Sequence, residues 1–247
     1  MALLDVKGLG MRFGGLEANW DISFQVEAGE LVGLIGPNGA GKSTLFNCIA
    51  GMHSPTVGNI FFRGQNVTGY RAYEMARLGL ARTFQVYVAT GDLNVLENVM
   101  VGAFMRTSSL VKARTKAEGI LENMNLASLA QERVANLPVA AQKRVVMATA
   151  LATYPELLLL DEVAAGLNPT EMDDMIRMIR WVHGQLHVTV MVVEHVMELV
   201  MKLSHRVLVV ESGRLIAEGE PSDIVRRPEV IKAYLGERYV TEQLGEE

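Results

Sequence analysis

Residues 31–50 read LVGLIGPNGAGKSTLFNCIA, and their reading decides the fold. Residues 31–35 are an apolar run of strand length. Gly36, Pro37, Asn38, Gly39, Ala40, Gly41, Lys42, Ser43 and Thr44 follow, and residues 45–50 continue as an apolar helix. The spacing is G-x-x-x-x-G-K-[ST] between a strand and a helix, the setting in which that pattern denotes a phosphate loop. A chain that wraps a polyphosphate must bring backbone N–H groups to the anion, and glycines permit that approach. The helix that follows aims its positive end at the same anion. Lys42 supplies a point charge for the β- and γ-phosphates, and Ser43 a hydroxyl for Mg²⁺. The bland alternative, a glycine-rich turn before a helix, is disfavoured by the strand and helix that flank the loop.

Composition narrows the class. The chain has 247 residues, 49% hydrophobic and 21% charged, enough for one large domain or two lobes. A net charge of −5 disfavours nucleic acid as a partner. The single cysteine, Cys48, rules out an internal disulfide and points to a reducing compartment. It lies in the apolar helix after the loop, where a buried, inert thiol is expected. The start, MALLDVKGLG, puts Asp5 and Lys7 where a signal peptide would be apolar, and no run approaches 18 apolar residues. The expectation is a soluble chain that reaches a membrane only through another subunit.

Outward from the loop, residues 2–6 and 20–26 read as strands, the second with Trp20, Ile22, Phe24 and Val26 alternating on a buried face. Residues 59–62 and 81–84 read as strands and 71–79 as a helix. From about residue 93 to 151 helical spacing takes over, with helices over 117–125 and 140–152 and with Leu93, Leu96, Val99 and Met100 on one face. This reads as a helical insertion in an α/β core. The run Leu157–Leu160 then meets Asp161 and Glu162, and residues 188–193 meet Glu194 and His195. The first reads as a buried parallel strand and the second as a strand, each ending in polar groups, and open α/β sheets place their ligands at the carboxyl ends of strands. A helix over 170–183 and a hairpin over 207–218 complete the core. His183 and His187 stand four apart, but no third ligand accompanies them, so a metal pair is not indicated. Arg106, Lys112, Arg114 and Lys116 read as a solvated helix face.

Taken in order, the loop at 36–43, Gln85 after a short strand, LLLLDE at 157–162, AGLN at 165–168 and His195 after a strand resemble the ATP-binding-cassette (ABC) ATPases over nearly the whole chain. RFGGL at 12–16, ARTFQ at 81–85, LNVLENVMVGA at 93–103, AGLNPTE at 165–171 and VIKAYLGE at 230–237 are similar to ATP-binding subunits of bacterial branched-chain and hydrophobic amino-acid importers. The resemblance implies a P-loop NTPase fold with a RecA-like core, an antiparallel β subdomain and a helical subdomain. The core would span 1–85 and 152–220, the helical part 86–151 and a tail 221–247. ATP and Mg²⁺ are the implied cofactors. Phe13 would stack on adenine. Gln85 would meet Mg²⁺, the attacking water and the membrane subunit. Asp161 would hold the Mg²⁺ shell, Glu162 would polarise the water and His195 would contact the γ-phosphate. Implied partners are permease subunits, a second ATPase subunit and, indirectly, a solute-binding protein, with the chain peripheral on the cytoplasmic face of the cell membrane.

The sequence departs from the family at one place that matters. The signature Leu-Ser-Gly-Gly-Gln aligns with Leu137, Pro138, Val139, Ala140 and Ala141, matching only the leucine. In the family this stretch completes the partner's ATP site. Pro138 offers neither hydroxyl nor N–H, although proline suits a first helical turn and leaves the helix dipole intact. Val163, where proline commonly follows the acidic pair, is a second departure. The leading expectation is an ATP-hydrolysing importer subunit within an asymmetric pair. The alternative is an ATP-binding regulatory subunit with weak hydrolysis. A chromosome-maintenance ATPase would need long coiled-coil insertions that the interval from Gln85 to Leu137 cannot hold.

Overall fold

The computed structural model describes residues 2–83 and 93–235, so Gln85 lies outside the described residues. The chain begins with β1 (Ala2–Phe13), β2 (Leu16–Glu27), β3 (Leu31–Ile35), α1 (Lys42–Ile49), β4 (Val57–Phe62), β5 (Gln65–Asn66), α2 (Ala72–Leu78) and β6 (Leu80–Arg82). A helical stretch follows: α3 (Val95–Ala103), α4 (Leu110–Asn123) and α5 (Val139–Leu151). The chain then returns through β7 (Leu157–Asp161), α6 (Pro169–Leu186), β8 (Thr189–Val193), α7 (Met197–Leu203), β9 (Arg206–Glu211), β10 (Arg214–Gly219), α8 (Pro221–Ile224) and α9 (Pro228–Leu235).

Two sheets result. One is antiparallel, ordered β2-β1-β4-β5, and the other runs β10-β9-β3-β8-β7-β6. In the second, β6, β7, β8, β3 and β9 pair in parallel and β10 closes a hairpin. Every residue of β3, β7 and β8 is buried. Parallel strands covered on both faces need such unbroken apolar runs. Register then sets the site: Leu34 and Asp161 both align with Val193, so the phosphate loop, Asp161–Glu162 and Glu194–His195 all leave the sheet at one edge.

Phe46 of α1 is fully buried, worth about 1.5–3 kcal/mol against exposure. The helical stretch shares its core with the sheet: Val99, Leu121 and Val145 belong to one buried cluster with Leu158, Leu160 and Val190. Gly102 permits close approach of α3 to α5, since a Cβ there would lie 2.1 Å from the Thr149 carbonyl oxygen. The stretch AGLNPTE has a local meaning as well. Asn168 accepts from the Glu171 N–H, Glu171 accepts from the Asn168 N–H, and Pro169 opens α6. Such a box stabilises a helix start by about 1 kcal/mol.

Three expectations change. Trp20 lies on the outer face, beside the guanidiniums of Arg12 and Arg214, because the register with β1 slips between Leu9–Ile22 and Met11–Asn19 at Asp21, which has φ 50°. A one-residue slip exchanges faces, so Asn19 turns inward instead. Helix α4 begins at Leu110, capped by Ser109, earlier than apolar spacing suggests, because its buried face is made of Ala113, Ala117 and Leu121. Arg106 is not part of a purely solvated face. Its guanidinium donates to the carbonyls of Ala76, Arg77 and Thr153, tying the C-terminal turn of α2 to the chain after α5. Cys48 is buried as expected. Among the described residues no helix is long and apolar enough to cross a membrane.

Candidate functional site

The loop between β3 and α1 has a conformation its glycines require. Gly36 has φ 153°, and a Cβ there would meet the Val210 carbonyl oxygen at 1.9 Å. Gly41 caps α1 at φ 99°, and its Cβ would fall 2.3 Å from the Ala18 carbonyl oxygen. The loop is tied to both sheets. Asn19 Nδ2 donates to the Gly41 carbonyl at 3.2 Å, Gly213 N–H donates to the Ala40 carbonyl at 2.9 Å, and Trp20 N–H donates to the Gly213 carbonyl at 2.8 Å. Lys42 Nζ folds back to donate to the carbonyls of Gly36 at 2.7 Å and Pro37 at 2.8 Å. Burial pushes its pKa down, against the opposing pull of Glu162 and Asp161.

Over the loop lies a cavity of about 620 Å³, walled by Phe13, residues 38–44, Glu162 and the Ser212–Gly213 turn. That volume lies in the range of small-molecule and cofactor sites, about 300–1,000 Å³. Phe13 is half-exposed at the rim, edge-on to His53 with ring centroids 5.6 Å apart. The first turn of α1 contributes N–H groups that no helix can bond internally. Phe13, Asn38 to Thr44 and Glu162 therefore face one space.

Beside it, Asp161 is buried. Its Oδ2 accepts from Arg82 at 2.7 Å, while its Oδ1 is buried with no hydrogen-bond partner. Thr83 Oγ1 accepts from the Asp161 N–H at 3.1 Å, and Arg82 also donates to Asn47 Oδ1 on α1. Glu162 adopts a left-handed backbone with φ 46°. Its Oε1 lies 3.9 Å from His195 Nδ1. Glu194, fully buried, accepts from the Ala164 N–H at 2.8 Å through Oε1, and Lys143 Nζ donates to the Glu162 carbonyl at 2.8 Å. Residues 137–141 do not line the cavity, and α5 starts after Pro138 with no side-chain cap. His183 bonds through Nδ1 to the Val188 carbonyl and packs edge-on against His205, while His187 ends α6 in a left-handed conformation.

Residues that motif reading passes over are Asn19, Arg82, Thr83, Lys143 and Gly213. Arg82 stood inside the quoted ARTFQ, but nothing in that string says its partner is Asp161. Lys143 and Asn19 carry no local signal, since their partners lie 19 and 22 positions away.

Known proteins place this arrangement. The family described as ABC transporter matches residues 20–165, and the branch described as branched-chain amino acid ATP-binding cassette transporter matches residues 214–240. The high-affinity branched-chain amino acid transport ATP-binding protein LivG of Escherichia coli K12 is 40% identical, over 95% of this chain and 98% of its own. BraF of Pseudomonas aeruginosa, described in the same words, is 39% identical over the same shares. A crystal structure of a nucleotide-free ATP-binding cassette from an ABC transporter superposes with a TM-score of 0.88 at 28% identity, over 96% of this chain and 100% of that one. With a phosphate loop, an acidic pair and a histidine gathered at one sheet edge, and with these relatives along its length, the chain belongs to the ABC transporter family as an ATP-binding, ATP-hydrolysing subunit.

Proposed function

We propose that this chain powers a membrane importer of branched-chain amino acids or related small solutes. It would act on the cytoplasmic face with permease subunits and a second ATPase subunit, and receive cargo through a solute-binding protein. The observation that carries the import branch is the match at residues 214–240, which lies outside the 20–165 matched by the wider family. The named relatives serve branched-chain amino acid transport.

Within the site, the loop N–H groups and the start of α1 would bind the phosphates, and Phe13 would stack on the adenine. Lys42 would exchange its two carbonyl partners for β- and γ-phosphate oxygens. Mg²⁺ fits the residues present, because Asp161 Oδ1 is an anionic oxygen, buried and without a partner. Mg²⁺ is bound elsewhere by one or two carboxylates together with substrate phosphates. Ser43 and Asp161 would hold it, with Gln85 the further expected ligand. When bound, the ion would neutralise charge on the β- and γ-oxygens. Glu162 would orient and polarise the attacking water, and His195, beside it, would hold the γ-phosphate. Most of the acceleration in this reaction class is positioning and charge stabilisation.

The test is ATP-driven uptake by the assembled transporter with Glu162→Gln in this subunit. Turnover should fall by at least about a hundredfold while ATP still binds. Hydrolysis at the wild-type rate would remove Glu162 from the role. Uptake of a labelled solute unrelated to branched-chain amino acids, with leucine ignored, would overturn the cargo.

A second feature favours an asymmetric pair. Helix α5 presents its N-terminus after Pro138, without a hydroxyl, and Val139 is exposed beside it. A related subunit with a serine there would complete this chain's own site more strongly than a second copy could. Vigorous cooperative hydrolysis by the isolated homodimer would sink this arrangement.

A further inference from the structure

We propose that Lys143 is a positioning residue for Glu162, fixing its backbone from the helix that carries residues 137–141, with Glu194 as the second brace. The proposal rests on the reading of Glu162 as the water-polarising carboxylate.

The direction of a carboxylate depends on the backbone that bears it. Glu162 has φ 46°, a conformation that side chains with a Cβ avoid. Such a conformation persists only where its surroundings over-determine it. Here they do. Ahead of the residue, Glu162 N–H donates to the Val193 carbonyl at 3.0 Å. At the residue, its carbonyl accepts from Lys143 Nζ at 2.8 Å and from Ala165 N–H at 3.3 Å. Beyond it, Ala164 N–H donates to Glu194 Oε1 at 2.8 Å. One buried carboxylate, the neighbour of His195 in sequence, thus holds the chain after Glu162.

Lys143 differs from the other anchors. Val193 and Glu194 belong to the sheet edge itself, whereas Lys143 stands one turn into α5. Its ammonium is partly withdrawn from water to reach the Glu162 carbonyl, and the burial pushes its pKa down against the pull of Glu194 and Glu162. Burying a charged amine to satisfy a carbonyl is costly when any neutral donor would do. A charged donor makes a stronger hold on a strained peptide. Glu194 is fully buried beside this stretch, burial pushes its carboxyl pKa up, and its Oε2 has no hydrogen-bond partner.

The experiment uses the full chain in the assembled transporter, comparing wild type, Lys143→Met, Lys143→Arg, Glu162→Gln and the Lys143→Met/Glu162→Gln double variant. It reads kcat and KM for ATP hydrolysis, equilibrium ATP affinity and Tm. Lys143→Met should lower kcat at least about tenfold, the scale of a small displacement of a catalytic group. KM and ATP affinity should move by less than about threefold, because the loop is untouched. Lys143→Arg should restore most of kcat, and Lys143→Met should add nothing to Glu162→Gln. Should Lys143→Met fail to assemble, Lys143→Gln, too short to reach the carbonyl, replaces it under the same criteria. The proposal is overturned if kcat stays within about twofold of wild type, if arginine does not rescue, or if ATP affinity and Tm fall in step with kcat, as in general disruption. A fully active Glu162→Gln would instead remove the reading of Glu162 on which it rests, so the two failures are distinguishable.

Discussion

Arg82→Met isolates an interaction that stands between stability and catalysis. The side chains of Arg82 and Asp161 are 7% and 5% exposed and meet at 2.7 Å. Solvent therefore screens the pair little. Removing the guanidinium leaves Asp161 with neither oxygen bonded to a side chain and also takes a donor from Asn47. Breaking one side of a buried pair costs about 3–5 kcal/mol, mostly from stranding the remaining charge. In a chain of this size each kcal/mol corresponds to about 2–4 °C in Tm, so a fall of about 6–20 °C is expected. Replacing both partners, as Arg82→Met with Asp161→Asn, should cost less than the sum of the single changes by at least about 1 kcal/mol. The stranded carboxylate should also welcome a cation. Stabilisation by Mg²⁺ with nucleotide, about 2.7 kcal/mol at a hundred times Kd, should be larger in Arg82→Met than in wild type. Urea and thermal denaturation of the purified chain, with and without Mg-nucleotide, measure these quantities. A loss below about 1 kcal/mol, typical of an exposed pair, together with an unchanged response to Mg-nucleotide, would refute both the energetic argument and the assignment of Asp161 as the metal's anchor.

Other consequences can be checked separately. Burial raises the Cys48 thiol to about 11, so at pH 8 the folded chain should resist alkylation for hours and react fully in urea; rapid labelling of the native protein would contradict this. Gly41→Ala should lower ATP affinity at least about tenfold and stability by about 1–3 kcal/mol, from the φ of 99° and the collision with Ala18, and unaltered binding in a titration would count against it. At Glu30, burial raises the pKa, but hydrogen bonds from Arg206 at 2.6 and 2.8 Å help to outweigh it and hold the carboxyl below its ordinary 4.5. A depressed carboxylate contributes stability above its unfolded pKa and loses it as pH falls through the folded value. The gap between wild type and Glu30→Gln in denaturation midpoint should therefore close below about pH 4.5; a gap that persists at lower pH would show that the ion pair is not its source.

What the sequence disclosed follows from where each signal resides. The phosphate loop, the all-apolar strands before Asp161 and Glu194, and the Asn-Pro-Thr-Glu helix start are local, because each satisfies its chemistry within a few residues. The outward turn of Trp20 was not legible, since it depends on a bulge at Asp21, and alternation alone placed that ring inside. Its consequence is the inward Asn19 that holds Gly41, a contact visible only once β2 is registered on β1. Arg82 and Lys143 show the same limit. A basic side chain in a sequence looks solvated until the acceptor that buries it is known, and both acceptors lie at the edge of β7. Arg106 illustrates it at the surface, where a charge that reads as a solvated face in fact serves three carbonyls.

One of these hidden contacts gives α5 a part in the site. Its N-terminus, at Pro138 and Val139, offers no side-chain hydroxyl, yet one turn later Lys143 grips the backbone of this chain's own Glu162. In the proposed pair, a rigid helix of this kind faces two ATP sites at once. A shift of its N-terminus as the partner's nucleotide arrives would be felt at the Glu162 carbonyl, because the helix is too stiff to absorb the movement in one turn. Loss of the serine and glycines need not, then, disconnect the two sites. In that proposal it would weaken what α5 offers to the partner's phosphate while leaving intact the hold of Lys143 on the Glu162 carbonyl.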